Sequence, residues 1–392
     1  MTTSSKLLPI HKRFDITFSH GKGVYLYDSD DNKYLDFGAG IAVNALGHCH
    51  PNLVKAIQEQ SQKLWHVSNM YCVNELNSYA DSLVGQTFAD YVFFCNSGAE
   101  AIECAIKTIR KHFHSKGQHD KNRIITFKGA FHGRTIATIS AAGNPQYLEG
   151  FEPALPGFDS VEFNNIESVK NAINENTAGI LIEPIQGESG IKPADKKFLQ
   201  ELRELADKHD LLLAFDEVQC GMGRTGHLFA HEYFGVTPDI VSTAKAIGGG
   251  FPLGACLSNK KASSGMSYGS HGTTYGGNPL AMSTAQAVLD TINEDNLLEQ
   301  VTENSQILFS KLDELKNQFP QIIEEIRGIG YMVGIKIKED YLNTDIVSKL
   351  ITGKLLTIPA GDNIVRLLPP LTITKDNIDE AVDKLISTFK SI

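Results

Sequence analysis

The middle of the chain alternates short, unbroken apolar runs with longer stretches in which apolar residues recur every three or four positions. The unbroken runs are Tyr91–Cys95 (YVFFC), Arg123–Phe127 (RIITF), 179–183 (GILIE), 211–216 (LLLAFD) and Ile240–Thr243. Continuous rather than alternating hydrophobicity means that both faces of each strand are covered, which predicts a mainly parallel sheet with helices on either side. The periodic stretches predict helices over 99–114 and 194–210, the second with Phe198, Leu199, Leu202 and Leu205 on one face.

The chain ends differ in texture. Residues 21–38 (GKGVYLYDSDDNKYLDFG) read as a hairpin turning at Asp30-Asp31-Asn32. Beyond about residue 290 the pattern predicts a long helix over 296–319, a glycine-bounded strand over 330–337 and a closing helix near Lys375–Phe389. The predicted class is α/β. A large domain, 52–290, carries the parallel sheet, and a smaller α+β domain is built from both ends, 1–51 and 291–392. Repeats and low-complexity segments are absent from the sequence.

Composition narrows the possible functions. A hydrophobic fraction of 42% and a charged fraction of 21% over 392 residues are those of a globular protein, with disorder expected only in the first residues, MTTSS. A formal charge of −10 argues against a nucleic-acid surface, though it permits a local basic pocket for an anionic ligand. No apolar run approaches the roughly 20 residues of a membrane span, and the N-terminus lacks a signal peptide's apolar core. A cytoplasmic protein that binds neither membrane nor nucleic acid is expected. The 6 cysteines form no C-x-x-C pair and are expected to be reduced thiols, mostly small core residues; neither a disulfide framework nor a metal site is expected. The stretch His48-Cys49-His50 precedes Pro51 and reads as the turn that starts a helix.

Three strand ends carry polar residues that need a reason. YVFFC runs into Asn96-Ser97-Gly98-Ala99-Glu100, where Ser97 and Glu100 have capping-box spacing. A helix starting here offers free N–H groups to an anion, and Gly98 lets backbone approach it. LLLAF ends in Asp216-Glu217-Val218-Gln219. A magnesium-binding carboxylate of a nucleotide hydrolase would need a G-x-x-x-x-G-K-[ST] loop, which the chain lacks. The third end carries Lys245, just before Gly248-Gly249-Gly250. Ser242-Thr243-Ala244-Lys245 also fits S-x-x-K, and Gly265–Gly269 fits G-x-S-x-G. The first lacks its S-D-N and K-T-G companions and the second has no preceding strand, so both are read as chance matches. A phosphate site, an acid and a lysine at three strand ends are together what pyridoxal 5′-phosphate requires. The N–H groups take its phosphate, the lysine its aldehyde through a Schiff base, and the acid its pyridine nitrogen.

The run LLLAFDEVQCGMGRTGHLFAHEYFGVTPDIVSTAKAIGGGFPLGA resembles the signature of the subgroup III pyridoxal-phosphate aminotransferases. The likeness continues through NSGAEA, AFHGRT, EPIQGESG, HGTTYGGNP and IVRLLPPL, and so spans nearly the whole chain. It implies a fold type I transferase and a homodimer with shared active sites. It also implies that Lys245 links to the cofactor and shuttles the proton, Asp216 pairs with the ring nitrogen, and Gln219 contacts the ring hydroxyl. Val218 and Phe131 would cover the two ring faces, and Ser97, Gly98 and Ala99 would hold the phosphate with Thr274 of the other protomer. Thr273 would lie near the substrate and Arg134 would clamp a substrate carboxylate. Arg366 would alternate between Glu188 and the distal carboxylate of glutamate.

Ornithine-type members carry a tyrosine ahead of the segment matching Ala42-Val43-Asn44, where this chain has Gly38-Ala39-Gly40-Ile41. The smaller residues leave room for an acyl tail. The implied reaction therefore moves the δ-amino group of N2-acetyl-L-ornithine to 2-oxoglutarate in ping-pong fashion. Succinylornithine, N-succinyl-diaminopimelate, ornithine and 4-aminobutyrate are the alternative donors. A binding protein on the same scaffold would be expected to have lost a cofactor contact, and none of Lys245, Asp216, Phe131, Arg134 or Thr274 is missing.

Overall fold

The computed structural model describes residues 6–392; the expectation of disorder in MTTSS falls outside them. A seven-stranded sheet runs in the order Tyr91–Cys95, Gly254–Ser258, Ile240–Thr243, Leu212–Asp216, Thr177–Ile182, Arg123–Phe127, Phe158–Val161. All but one of these strands are parallel; Gly254–Ser258 is antiparallel to both neighbours. The central strands are buried at every position, as their continuous hydrophobicity requires.

Alternate residues of one strand serve different cores. Leu212 and Ala214 pack with Ile102, Ile106 and Ile109 of the Gly98–Ser115 helix. Leu213 and Phe215 pack with Phe198, Leu199 and Leu202 of the Lys196–Lys208 helix on the other face. On that second helix Ala206 completes the buried stripe and Leu205 is only half-buried.

The chain ends meet. Phe18–Lys22, Tyr25–Asp28 and Lys33–Asp36 form an antiparallel meander, and Leu355–Leu356 adds to it in parallel beside Lys33–Asp36. The hairpin turn falls at the expected place. Asp28 Oδ1 accepts the N–H groups of Asp30 and Asn32, and Asp31 takes the left-handed conformation (φ 63°). A further sheet holds Ile323–Ile329, Met332–Ile337, Ile364–Leu367 and Ile358–Ala360, covered by the helices Leu297–Gln318 and Asn343–Thr352, on both of which the closing helix Lys375–Phe389 packs.

His50 caps the Pro51–Ser61 helix, its ring accepting the Asn52 N–H, with proline in the first turn. Gly265–Gly269 lies in a loop after the short Lys260–Ser263 helix, with no strand-to-helix elbow, and Ser242 sits inside a buried strand. Four cysteines are buried and Cys49 and Cys72 are exposed, in keeping with thiols that are mostly core residues. Both lie in loops flanking the Pro51–Ser61 helix, where no strand hydrophobicity draws them inward. Among the described residues no helix is long and apolar enough to cross a membrane.

Candidate active site

A cavity of about 360 Å³ opens beyond the carboxyl ends of the parallel strands, where ligands of such sheets bind. The strand ends singled out in the sequence converge on it. Ser97, Gly98 and Ala99 from the first, Asp216, Val218 and Gln219 from the second and Lys245 from the third all line it.

The first strand end folds as its sequence directs. Ser97 is the N-cap of the 98–115 helix and its Oγ accepts the Glu100 N–H at 3.3 Å. The reciprocal half of the capping box shifts back by one residue: Glu100 Oε2 accepts the N–H of Asn96, not of Ser97, at 2.5 Å. The Ala101 N–H is already bonded to Ser97 O, so the Gly98 and Ala99 N–H groups are left for a ligand. The need for glycine at 98 differs from the one expected. A Cβ there would lie 2.7 Å from Val218 Cγ1, so the glycine admits Val218 as well as any ligand. Gly98→Ala should displace Val218 and destabilise the fold by about 1–3 kcal/mol. Urea unfolding with and without cofactor would measure this, and the cofactor's stabilising increment should shrink.

At the second strand end Asp216 is buried and doubly held. Its Oδ2 pairs with His132 Nδ1 at 2.7 Å, and its Oδ1 accepts the Val218 N–H at 3.0 Å. His132 Nε2 has no partner among the described residues. Beside this pair lies Glu183, also buried and lining the cavity, with Oε2 accepting the Phe131 N–H at 2.9 Å. Burial and then the Asp216 charge push the Glu183 carboxyl well above its ordinary range. His132 and Glu183 were not singled out in the sequence. Glu183 follows the strand GILI as Asp216 follows LLAF, and His132 is the neighbour of Phe131 in AFHGRT. The strand-end argument, applied to every run, would have found the glutamate.

Lys245 takes the left-handed conformation (φ 50°), uncommon for a residue with a side chain and of the kind held at functional sites at a cost of about 1–3 kcal/mol. A short 3₁₀ turn follows over Lys245–Gly248, then Gly249 (φ 55°) and Gly250 (φ 116°). A Cβ on Gly249 would sit 2.6 Å from Leu53 Cδ2 and 2.8 Å from Val288 Cγ2. The glycines thus let the backbone reverse tightly against packed side chains, aiming the lysine into the cavity. Burial lowers the Lys245 pKa and the Arg366 charge lowers it further, against the opposing pull of Glu188, Asp216 and Glu183.

Behind the cavity, Glu188 and Arg366 meet. Arg366 Nη1 donates to Glu188 Oε1 at 2.7 Å and to Gln219 Oε1 at 3.0 Å, although 178 residues separate the charged pair. Arg366 is fully buried and its Nε has no partner among the described residues. Burial alone would raise the Glu188 carboxyl; the Arg366 guanidinium holds it below its ordinary value. Gln219 therefore links the cavity to this ion pair.

Arg134 follows the lining residue Gly133 but does not itself line the cavity; it is exposed, its guanidinium 3.9 Å from the centre of the Tyr147 ring, while Phe131 meets Tyr147 edge-on. Tyr147, also missed in the sequence, braces both. Thr274 is exposed and lies outside the cavity of its own chain. Thr273 Oγ1 accepts from Asn96 Nδ2 at 3.2 Å. At the mouth, Ala39, Gly40, Ile41 and Ala42 all have positive φ, forming one left-handed turn that delivers Val43 to the cavity wall. Such a turn costs roughly 1–2 kcal/mol per non-glycine residue.

The donor set fits pyridoxal phosphate. Free helix N–H groups suit a phosphate, a buried carboxylate suits a protonated ring nitrogen, and an amine of lowered pKa faces the same space. Residues 9–389 match the aminotransferase class-III family. The chain belongs to this family of transferases and is an enzyme that works with pyridoxal 5′-phosphate. It is similar to the acetylornithine aminotransferase of Mesorhizobium japonicum, with 51% identity over 390 residues, 100% of this chain and 97% of that one. Among solved structures it resembles N-acetylornithine aminotransferase from Stenotrophomonas maltophilia K279a (TM-score 0.84, 38% identity, covering 96% of both chains). It also resembles the ornithine aminotransferase of Toxoplasma gondii ME49 (TM-score 0.94, 29% identity, covering 98% of this chain and 93% of the other).

Proposed function

We propose that the protein moves the δ-amino group of N2-acetyl-L-ornithine to 2-oxoglutarate, giving N-acetylglutamate 5-semialdehyde and glutamate. The observation that carries this reading is the pairing of the fully buried Arg366 with the half-buried Glu188 beside the Lys245 cavity, in a chain half identical to acetylornithine aminotransferases. A cation with its own carboxylate can present a neutral surface to an acylated donor and a positive one to a dicarboxylic acceptor.

Bound pyridoxal phosphate supplies a ring that draws electrons from the donor's amine-bearing carbon. The chain's residues divide the remaining work. Ser97, Gly98 and Ala99 would hold the cofactor's phosphate. Asp216, fixed by His132, would pair with the ring nitrogen, Phe131 and Val218 would cover the ring's faces, and Gln219, which is tied to Arg366, would contact the ring hydroxyl. Lys245 would anchor the cofactor, and its Nζ would take the proton from the donor carbon. Arg134 clamps the donor carboxylate bidentately and Thr273 borders the substrate. Glu188→Ala should leave Arg366 buried without its partner. The donor kcat/KM should then fall by about 10-fold or more, while 2-oxoglutarate binding is kept or tightened. Separate half-reaction kinetics would show the split.

Residues 52–290 are taken as the cofactor domain, with 1–51 and 291–392 as the small domain of a cytoplasmic enzyme. We further propose a homodimer in which Thr274 of each protomer completes the phosphate site of the other. Mixing and refolding Thr274→Ala with Lys245→Ala should restore about a quarter of wild-type activity, because random pairing gives half hybrids and each hybrid holds one intact site. No recovery beyond the separate variants would contradict sharing.

The donor is tested by comparing kcat/KM for acetylornithine, succinylornithine, N-succinyl-diaminopimelate, ornithine and 4-aminobutyrate with 2-oxoglutarate. Acetylornithine should exceed ornithine at least about tenfold. A preference for ornithine or 4-aminobutyrate would overturn the assignment.

A further inference from the structure

Glu188 is held by its backbone as well as by its side chain. Arg366 lies on the strand Ile364–Leu367, which pairs antiparallel with Ile358–Ala360, and residues 361–363 turn between them. Asp362 and Asn363 take the left-handed conformation in this turn (φ 57° and 54°). Asn363 fixes it through Nδ2, which donates to Ile337 O at 2.9 Å and to Tyr341 O at 2.8 Å. The turn reaches the Glu188 loop, where the Gly361 N–H donates to Glu188 O at 2.9 Å. One hairpin therefore grips the glutamate twice, its carboxylate with Arg366 and its carbonyl with Gly361.

Arg327, on Ile323–Ile329 of the same sheet, takes hold of the loop two residues further on. Its Nε and Nη2 both donate to Gly190 O, at 2.9 and 2.6 Å. Nη2 also donates to Asp362 Oδ2 at 2.7 Å, and Nη1 to Glu325 Oε2 at 3.1 Å. A guanidinium presents its donors in one rigid plane, so the two carboxylates set the direction from which it meets the carbonyl. The approach is close: a Cβ on Gly190 (φ 112°) would lie 2.6 Å from Gly361 O and 2.9 Å from Arg327 Nη2. The loop has little backbone hold of its own. Its Gly190 and Ile191 N–H groups reach only Gly187 O, both at a long 3.4 Å.

We propose that Arg327 is a positioning residue for amino transfer. Its grip on Gly190 O, with the Gly361 N–H on Glu188 O, keeps the Glu188 backbone in place while Arg366 exchanges the Glu188 carboxylate for that of a substrate. The inference rests on the reading of the Arg366–Glu188 pair given above. With the backbone fixed, the exchange needs only a side-chain rotation, and Glu188 stands ready to take Arg366 back when the acylated donor returns. With the loop released, Glu188 loses its register and the buried Arg366 faces the donor unpaired. Arg327's ion pairs are with partly exposed carboxylates, which contribute little to stability, so its loss acts on geometry and not on folding.

The test measures the two half-reactions separately on cofactor-saturated Arg327→Ala. The acetylornithine kcat/KM should fall about 3–10-fold, chiefly through KM, while that of 2-oxoglutarate changes by less than about twofold. Arg327→Lys, which keeps the charge but not the fork, should lie between the variant and wild type. Glu324→Ala, which removes only the ion pair with Lys336 beside it, should leave both half-reactions unchanged. In a Glu188→Ala background Arg327→Ala should add nothing to the split, because the group it positions is gone. Equal losses in both half-reactions, or an additive effect in that background, would overturn the inference. A split in Glu188→Ala without one in Arg327→Ala would overturn it alone. No split in Glu188→Ala would sink the underlying reading and this inference with it.

Discussion

Lys245→Ala should reduce amino transfer by about 10⁴-fold or more while leaving the protein folded. The lysine is the amine in the cavity that faces both the helix N–H groups and Asp216, and no other lysine lines that space. Its removal takes away both the anchor of the cofactor and the base that moves the proton, and general acid–base catalysis alone is worth up to about 10⁴-fold. Stability should change little, because burial already disfavours the ammonium and alanine spares that cost. Steady-state kinetics with added pyridoxal phosphate, alongside thermal unfolding, separate the two effects. A variant retaining a tenth of wild-type turnover would remove Lys245 from its role.

Asp216→Ala carries the second large effect, a fall in kcat of about 10²–10³-fold, the scale of losing one aimed electrostatic contact in a closed site. The carboxylate is held by His132 and the Val218 N–H, so it is oriented before any ligand arrives. Alanine also strips a partner from the buried His132 ring, which should destabilise the fold by about 1–3 kcal/mol. The pH consequence has a definite sign. Asp216's charge is one of the causes that raise Glu183, so removing it lets the Glu183 pKa fall, with burial still keeping it above its ordinary value. NMR titration of the carboxyl carbon would follow this shift. Asp216→Glu, which keeps the charge, should leave Glu183 high and recover part of the rate.

Much of the large sheet was legible because unbroken hydrophobic runs mark strands buried on both faces. The expected runs 91–95, 123–127 and 240–243 and the closing helix Lys375–Phe389 coincide with the observed elements. The run at 179–183 is instead Thr177–Ile182, since Glu183 turns out of the strand toward the cavity before Pro184. Gly254–Ser258 escaped notice because its GACLS follows the proline- and glycine-rich GGGFPL, which reads as loop. Phe158–Val161 is an edge strand with polar Asp159 and Ser160, so it lacks the hydrophobic signature of a central strand.

The strand-end residues of the site were legible for the same reason: a lysine or an acid that closes a buried run needs a partner. The Glu188–Arg366 contact was implied by the family resemblance alone, because it joins a loop and a strand far apart in sequence through tertiary packing that no local pattern reveals. The His132–Asp216 pair was hidden likewise, since nothing local ties a loop histidine to an acid 84 residues away.

The account's central claim is that one cavity takes an amino group from acetylornithine and hands it to 2-oxoglutarate, with Lys245 as its base. Mixing cofactor-loaded protein with acetylornithine alone, in a rapid-quench experiment, tests it most directly. One equivalent of semialdehyde per Lys245 site should form and then stop, and 2-oxoglutarate added afterwards should yield an equal amount of glutamate. Absence of semialdehyde until both substrates are present, or its continued formation without 2-oxoglutarate, would contradict the account.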